Sequence, residues 1–215
     1  MENYFEFIAT LAIIAGTVVT SLIAFSNERV MDDLIFYPPA IGRGQWFRFF
    51  SNGFIHADYF HLFFNMYALY GFGRFLESSF LTLFPGYGRT LYVVLYFLAL
   101  PVCLLPTYWR NRNNHYYRSL GASGAVSAVI FGSIMLIPTT RISLLFLPGI
   151  PGFIFGPLYL LISSYLDRRG GGNVNHSAHI WGALFGVAFV IVACQLSGYP
   201  VLQSFVEQVR NYRYR

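Results

Sequence analysis

The chain reads as long apolar runs separated by short polar breaks. An α-helix needs about 17 to 25 residues to cross a hydrocarbon core. Runs of that order predict six spans at roughly 7–25, 59–79, 90–107, 119–138, 150–166 and 177–196. The fifth is the weakest, being short and carrying Gly152, Gly156 and Pro157; a bilayer tolerates such a segment where its freed backbone groups find partners in the bundle. Between the first two spans lies a long connection, 26–58, containing "DDLIFYPPAIGRGQWFRFF". Its aromatics Phe36, Tyr37, Trp46, Phe47, Phe49 and Phe50 are too dense for a solvated loop and predict a segment sunk in the membrane interface. The tail "VRNYRYR" predicts an interfacial anchor by the same reasoning. The first apolar run lacks a basic leader and a small-residue cleavage pattern, so it is expected to persist as a span. With no internal repeat and no second domain in view, the expectation is an all-α membrane protein forming one domain over residues 1–215.

Composition sharpens this and removes several functions. The chain is 56% hydrophobic and only 11% charged, whereas soluble domains carry about 25% charged residues. All 14 basic residues are arginine. Without lysine there is no Ser-Lys dyad, no Schiff base and no P-loop. The net charge of +5 suits anionic lipid headgroups, and the scattered arginines give no nucleic-acid signature. Cys103 and Cys194 fall inside apolar runs without metal-type spacing and are expected as plain buried thiols.

The candidate chemistry lies where polar residues share a depth. In a six-span chain the even-numbered helices enter from one face. Span two opens with "HADYFHLFFN", which places His61 and Asn65 at i and i+4 on one helical face. Span four carries Ser123 between Gly121 and Gly124, about one turn in, and span six carries His179 at a similar depth. Strongly polar groups inside a membrane are costly and by default indicate function. A serine hydroxyl becomes a nucleophile when a base takes its proton, and neutral imidazole suits that role. Small residues near both partners, Gly121, Gly124, Gly182 and Gly186, would let helices four and six approach closely. The Ser123 N–H near a helix N-terminus, the Asn65 amide and the His61 imidazole are candidate oxyanion donors. Asp58 and Asp167 are the carboxylates that could approach, but none adjoins His179 in sequence, so a dyad is expected.

Each residue also has a plainer role. A glycine-flanked serine in an apolar helix is more often a packing motif, an isolated Asn more often interhelical glue, and His179 alone could be structural. Their joint depth is what favours chemistry. His56 and His176, at loop–helix junctions, are expected to make structural hydrogen bonds, and His115 to be solvated. A zinc protease would need an HExxH helix, which is missing, so neither metal nor cofactor is expected. A G-x-S-x-G elbow is not matched either, since Ala125 follows Gly124.

These ordered motifs, "HADYFHLFFN", "GASG" and "AHIWGALFG", resemble the rhomboid family of intramembrane serine proteases over nearly the whole chain. The resemblance implies a six-helix bundle with a water-accessible cavity open to the extracytoplasmic side. It implies Ser123 as nucleophile, His179 as general base, and His61 and Asn65 on the oxyanion side. Arg48 and Glu77 match structural positions in the first loop and at the end of span two. It also implies a cytoplasmic N-terminus, which the arginine count by itself opposes weakly, and its style suggests a bacterial inner (plasma) membrane. The implied partners are transmembrane protein substrates and the lipid bilayer. A catalytically silent relative that binds membrane clients is the alternative.

Two departures stand out. Many bacterial members carry an aromatic residue one turn after the nucleophile, packed on the catalytic imidazole; here that position is Ser127, with Phe131 the candidate substitute. The Trp-Arg pair of the family reads "WFR", with Trp46 displaced by one place. Finally, span five and the loop "DRRGGGNVN" are expected to act as a gate and a lid over the dyad, with a looser span five cleaving faster.

Overall fold

The computed structural model describes residues 7–143, 149–170, 172 and 174–213. Its elements are almost all helical. They are α1 (Ile8–Ser26), α2 (Glu28–Leu34), α3 (Pro38–Ile41), α4 (Arg48–Ser51), α5 (Tyr59–Ala68), α6 (Arg74–Leu83), α7 (Gly88–Asn111), α8 (Ser123–Leu136), α9 (Gly152–Arg169), α10 (His176–Leu196) and α11 (Val201–Arg210). A two-residue antiparallel pair, β1 (Arg141–Ile142) with β2 (Ile150–Pro151), precedes α9.

Among the described residues, α1, α7 and α10 are long and apolar enough to cross a membrane, while α8 is apolar but shorter. The expected second span is divided, because a π-helical turn at Leu69–Gly73 separates α5 from α6. The helical path is nevertheless continuous from Tyr59 to Leu83. The expected fifth span is a helix with Pro157 as its sixth residue, past the free first-turn donors, where proline removes one i→i−4 hydrogen bond. The long connection is not an extended loop. It folds into α2, α3, α4 and a 3-10 turn at Asn52–Phe54. Phe36 and Phe49 are buried there, while Trp46 and Phe47 stay exposed. Arg48 holds this segment together: Nη1 donates to the carbonyls of Asp32 (2.7 Å) and Ile35 (2.8 Å), and Nε donates to Gln45 (2.6 Å). The C-terminal segment, expected as an anchor, forms α11 as far as Arg210, with Tyr212 edge-on to Phe153. Tyr214 and Arg215 lie outside the described residues.

The core runs along α8, surrounded by α5, α7 and α10. Its tightest seam is α8 against α10. A Cβ on Gly182 would fall on the carbonyl of Gly124, and one on Gly186 would fall on the carbonyl of Ala128. Backbone therefore meets backbone, an approach only glycine permits, and close packing is the main force joining helices in lipid. At the far end of α1, the buried carboxylate of Glu77 accepts the N–H groups of Ala9 (3.0 Å) and Thr10 (2.8 Å) and pairs with Arg89 (3.0 Å). It supplies the N-terminal acceptor that α1 otherwise lacks.

The seam gives a paired prediction. Gly186→Ala should destabilise the fold by about 1–3 kcal/mol through overpacking. Gly16→Ala, in α1 with open space around its Cβ, should be neutral or stabilising by up to about 1 kcal/mol. Thermal melts in detergent read both, and equal shifts would mean the seam is not as tight as described.

Candidate active site

Three helix starts converge on one cavity of about 450 Å³, lined by His61, Asn65, Gly121, Ser123, Gly124, Asn175 and His179 among others. α8 begins at Ser123 itself, so the Ser123 N–H belongs to the first turn, whose donors have no partner inside the helix. α5 begins after Asp58, whose carboxylate accepts the His61 N–H at 2.8 Å. That is an N-cap, and it accounts for one of the two carboxylates that could have completed a triad. The other, Asp167, pairs with Arg110 at 3.2 Å near the surface. α10 begins after Asn175, whose Oδ1 accepts the Ala178 N–H and the Thr107 hydroxyl, each at 3.1 Å. This cap ties the start of α10 to the end of α7 and sets where His179 enters the cavity.

Ser123 Oγ and His179 Nε2 lie 2.7 Å apart. With the imidazole proton on Nδ1, the hydroxyl donates to Nε2, the geometry that serine activation needs. Asn65 Nδ2 donates to the His61 carbonyl in its own helix at 2.9 Å; an amide has a second N–H, and Asn65 lines the cavity beside Ser123. Gly121 does not belong to the α8–α10 seam. It precedes α8 with φ +111, and a Cβ there would come within 2.6 Å of His61 Cε1. Both its backbone conformation and the space beside His61 exclude a side chain. Gly124 sits against Cys103, which is buried and free.

The ring stacked along His179 is that of Tyr159 from α9, with centroids 6.4 Å apart and planes 20° apart. Phe131, the substitute expected from sequence, packs instead on Tyr159 at 5.5 Å. The Tyr159 hydroxyl lies 3.1 Å from that of Ser127, so the position that lacks a ring holds one by hydrogen bond. No sequence pattern singles out Tyr159, one aromatic in an apolar span. Asn175 could have been found, since an Asn directly before an apolar helix is a capping signal. Of the expected lid, Gly170 follows α9 with φ +64; Gly171 and Asn173 lie outside the described residues. His176 packs edge-on to His179 at 6.0 Å, and His115 Nδ1 lies 3.4 Å from the exposed Tyr37 hydroxyl.

Against this geometry, a model of the rhomboid domain matches residues 43–196. The chain belongs to the rhomboid family. It is 30% identical over 148 residues to the presenilin-associated rhomboid-like protein, mitochondrial, of Mus musculus, covering 66% of this chain and 37% of that protein. The A form of that protein from Danio rerio is also 30% identical, over 144 residues, covering 65% and 35%. The RHOMBOID-like protein 12, mitochondrial, of Arabidopsis thaliana is 26% identical over 171 residues, covering 74% and 50%. The chain therefore spans 35 to 50% of the length of these relatives. Their mitochondrial names give no support to the bacterial inner membrane expected from sequence style, whereas the apolar helices do indicate a membrane protein.

His56 secures the segment in front of Ser123 in this rhomboid-family chain. It is fully buried in the connection before α5; its Nε2 accepts the Ala122 N–H at 3.3 Å and its Nδ1 lies 3.0 Å from Ser21 Oγ, which donates to the Phe54 carbonyl. These bonds are consistent only with neutral imidazole carrying its proton on Nδ1. Burial pushes its pKa down from 6.5 to about 3. A depressed folded-state pKa means that the unfolded chain binds the extra proton, so this stability is full above pH 6.5 and is lost as pH falls from there towards 3. Between pH 7 and 5 the loss should be about 2 kcal/mol. His56→Asn should flatten that part of the stability–pH curve relative to the parent; parallel curves would refute the assignment.

Proposed function

We propose that this rhomboid-family chain is an intramembrane serine endopeptidase, acting on transmembrane segments of other membrane proteins through Ser123 and His179. The observation that carries the proposal is the 2.7 Å Oγ–Nε2 contact inside a cavity that His61 and Asn65 also line. The bundle is taken as one unit of six spans over residues 1–215, with the N-terminus on the cytoplasmic side. Ser21, near the C-terminal end of α1, lies at the dyad end, while Thr10 lies with Glu77 at the other.

The chemistry follows from the side chains. His179 Nε2 takes the Ser123 proton as Oγ bonds the scissile carbonyl carbon. The carbonyl oxygen becomes an oxyanion facing the Ser123 N–H, with the Asn65 amide and the His61 ring as further donors. Collapse breaks the C–N bond, and the imidazolium returns its proton to the leaving amine. Water then attacks the acyl-enzyme with His179 again as base, which releases a carboxylate and restores the serine. A peptide bond inside a helix is shielded, so substrates must unwind and should carry helix-weakening residues near the cut. α9 is the access element in this reading, since it meets α8 only along a narrow strip at Gly152, Gly156 and Tyr159.

Purified protein should cleave a panel of single-span helices, with the cut mapped by mass spectrometry. Ser123→Ala and His179→Ala should each abolish cleavage with the fold retained, and the double variant should be no worse than either, because the residues act as a unit. Asn65→Ala should lose about 10²–10³ in kcat with substrate binding largely kept. Chelators should have no effect. Cleavage by Ser123→Ala would refute the mechanism, and an inert parent that still binds membrane helices would mark the silent, client-binding alternative. A cross-link between cysteines introduced on α9 and α5, with native Cys103 and Cys194 buried, should slow turnover until reduced. Unchanged turnover of a fully cross-linked sample would place access elsewhere.

A further inference from the structure

Among the described residues, neither carboxylate expected near the proposed general base orients it, since Asp58 caps α5 and Asp167 pairs with Arg110. An imidazole held only by its bond to Ser123 could rotate away about its side-chain torsions. Two rings flank it: His176 stands edge-on at 6.0 Å, and Tyr159 lies along its plane. Tyr159 lies nearly parallel to His179, at 6.4 Å and 20°, within the 4.5–7 Å range of offset aromatic pairs. Tyr159 is itself fixed on three sides: Phe155 stacks on it at 5.6 Å, Phe131 tilts against it at 5.5 Å, and the buried Ser127 hydroxyl lies 3.1 Å from its own. Ser127 sits one turn below Ser123 on α8, so the tether and the nucleophile share one rigid helix.

We infer that Tyr159 is a positioning residue for His179, tethered by Ser127, and that it couples the placement of α9 to the orientation of the base. The inference rests on the protease reading and adds to it. The same α9 that is proposed to admit substrate carries the ring that aligns the base. When α9 swings outward the ring leaves His179, and the dyad regains its alignment only on return. A looser α9 thus eases entry but weakens the base, so the faster cleavage expected from loosening that span is opposed by a slower chemical step.

The test separates base positioning from substrate entry with a small fluorophosphonate, which phosphonylates a serine hydroxyl as fluoride leaves and does not require a transmembrane substrate to enter. Tyr159→Leu should slow both Ser123 labelling and kcat by about tenfold, as expected for loss of an aromatic pair worth up to 1.5 kcal/mol, with KM little changed. Tyr159→Phe keeps the ring and should lose only about threefold, as for one hydrogen bond. Ser127→Ala should match Tyr159→Phe, and the double variant should be no slower than either. If Tyr159→Leu fails to fold, the Tyr159→Phe and Ser127→Ala cycle carries the test, and additive losses or unchanged labelling overturn the inference. Normal labelling by folded Tyr159→Leu with slowed cleavage would also overturn it, assigning Tyr159 to substrate passage. An unreactive parent, with neither labelling nor cleavage, would instead sink the protease reading itself.

Discussion

The close approach of α8 and α10 is the constraint on which the rest depends. Lipid gives apolar helices no hydrophobic reason to associate, so the contact must come from packing. At Gly182 and Gly186 the α10 backbone rests directly on carbonyls of α8. A single methyl in that seam would push the helices apart. Because Ser123 begins one helix and His179 lies one turn into the other, the same seam sets the 2.7 Å contact between them. The packing of the two helices and the hydroxyl–imidazole contact are thus one geometric fact.

Buried polar groups then fix the remaining elements where packing alone would leave them free to slide. Glu77 anchors the start of α1, Arg48 closes the long connection, His56 holds the segment before Ser123, and Asn175 ties α10 to α7. Each is satisfied by several bonds, as a low-dielectric interior requires. None needs to touch a substrate. Their common effect is to hold three helix starts around one cavity that Ser123, His61, Asn65 and His179 line.

α9 stands apart from this arrangement. Its start is tied to the chain after α8, where the Gly152 and Phe153 N–H groups donate to the carbonyls of Thr140 and Pro138 at 2.9 Å each, and further along Gly156 meets only the Phe131 ring. Its aromatic residues nonetheless reach further into the site than its packing would suggest, with Tyr159 lying along His179. A helix that meets α8 over a narrow strip, packs mainly along α10 and reaches the Ser123–His179 pair is suited to linking movement with the geometry of that pair.

Much of this was legible in the chain itself. Apolar run length gave α1, α7 and α10 to within a few residues, because crossing a hydrocarbon layer imposes a length. The positions of Ser123, His179, His61 and Asn65, within about two turns of their helix starts, could be counted along each run, because helical rise is constant. Glycine at 124, 182 and 186 signalled close approach for the same local reason, while Gly121 turned out to make room for His61 instead. The use of Asp58 as a cap was as readable as that of Asn175, since both stand directly before an apolar helix. The π-turn that divides the second span and the folding of the connection into short helices were not visible, because they depend on which neighbour satisfies each backbone group. The sequence showed that position 127 lacks a ring, but only the tertiary structure decided that Tyr159 supplies one. Two residues 32 positions apart meet through the relative rotation of α8 and α9, and rotation about a helix axis is set by packing between helices rather than by the pattern within one.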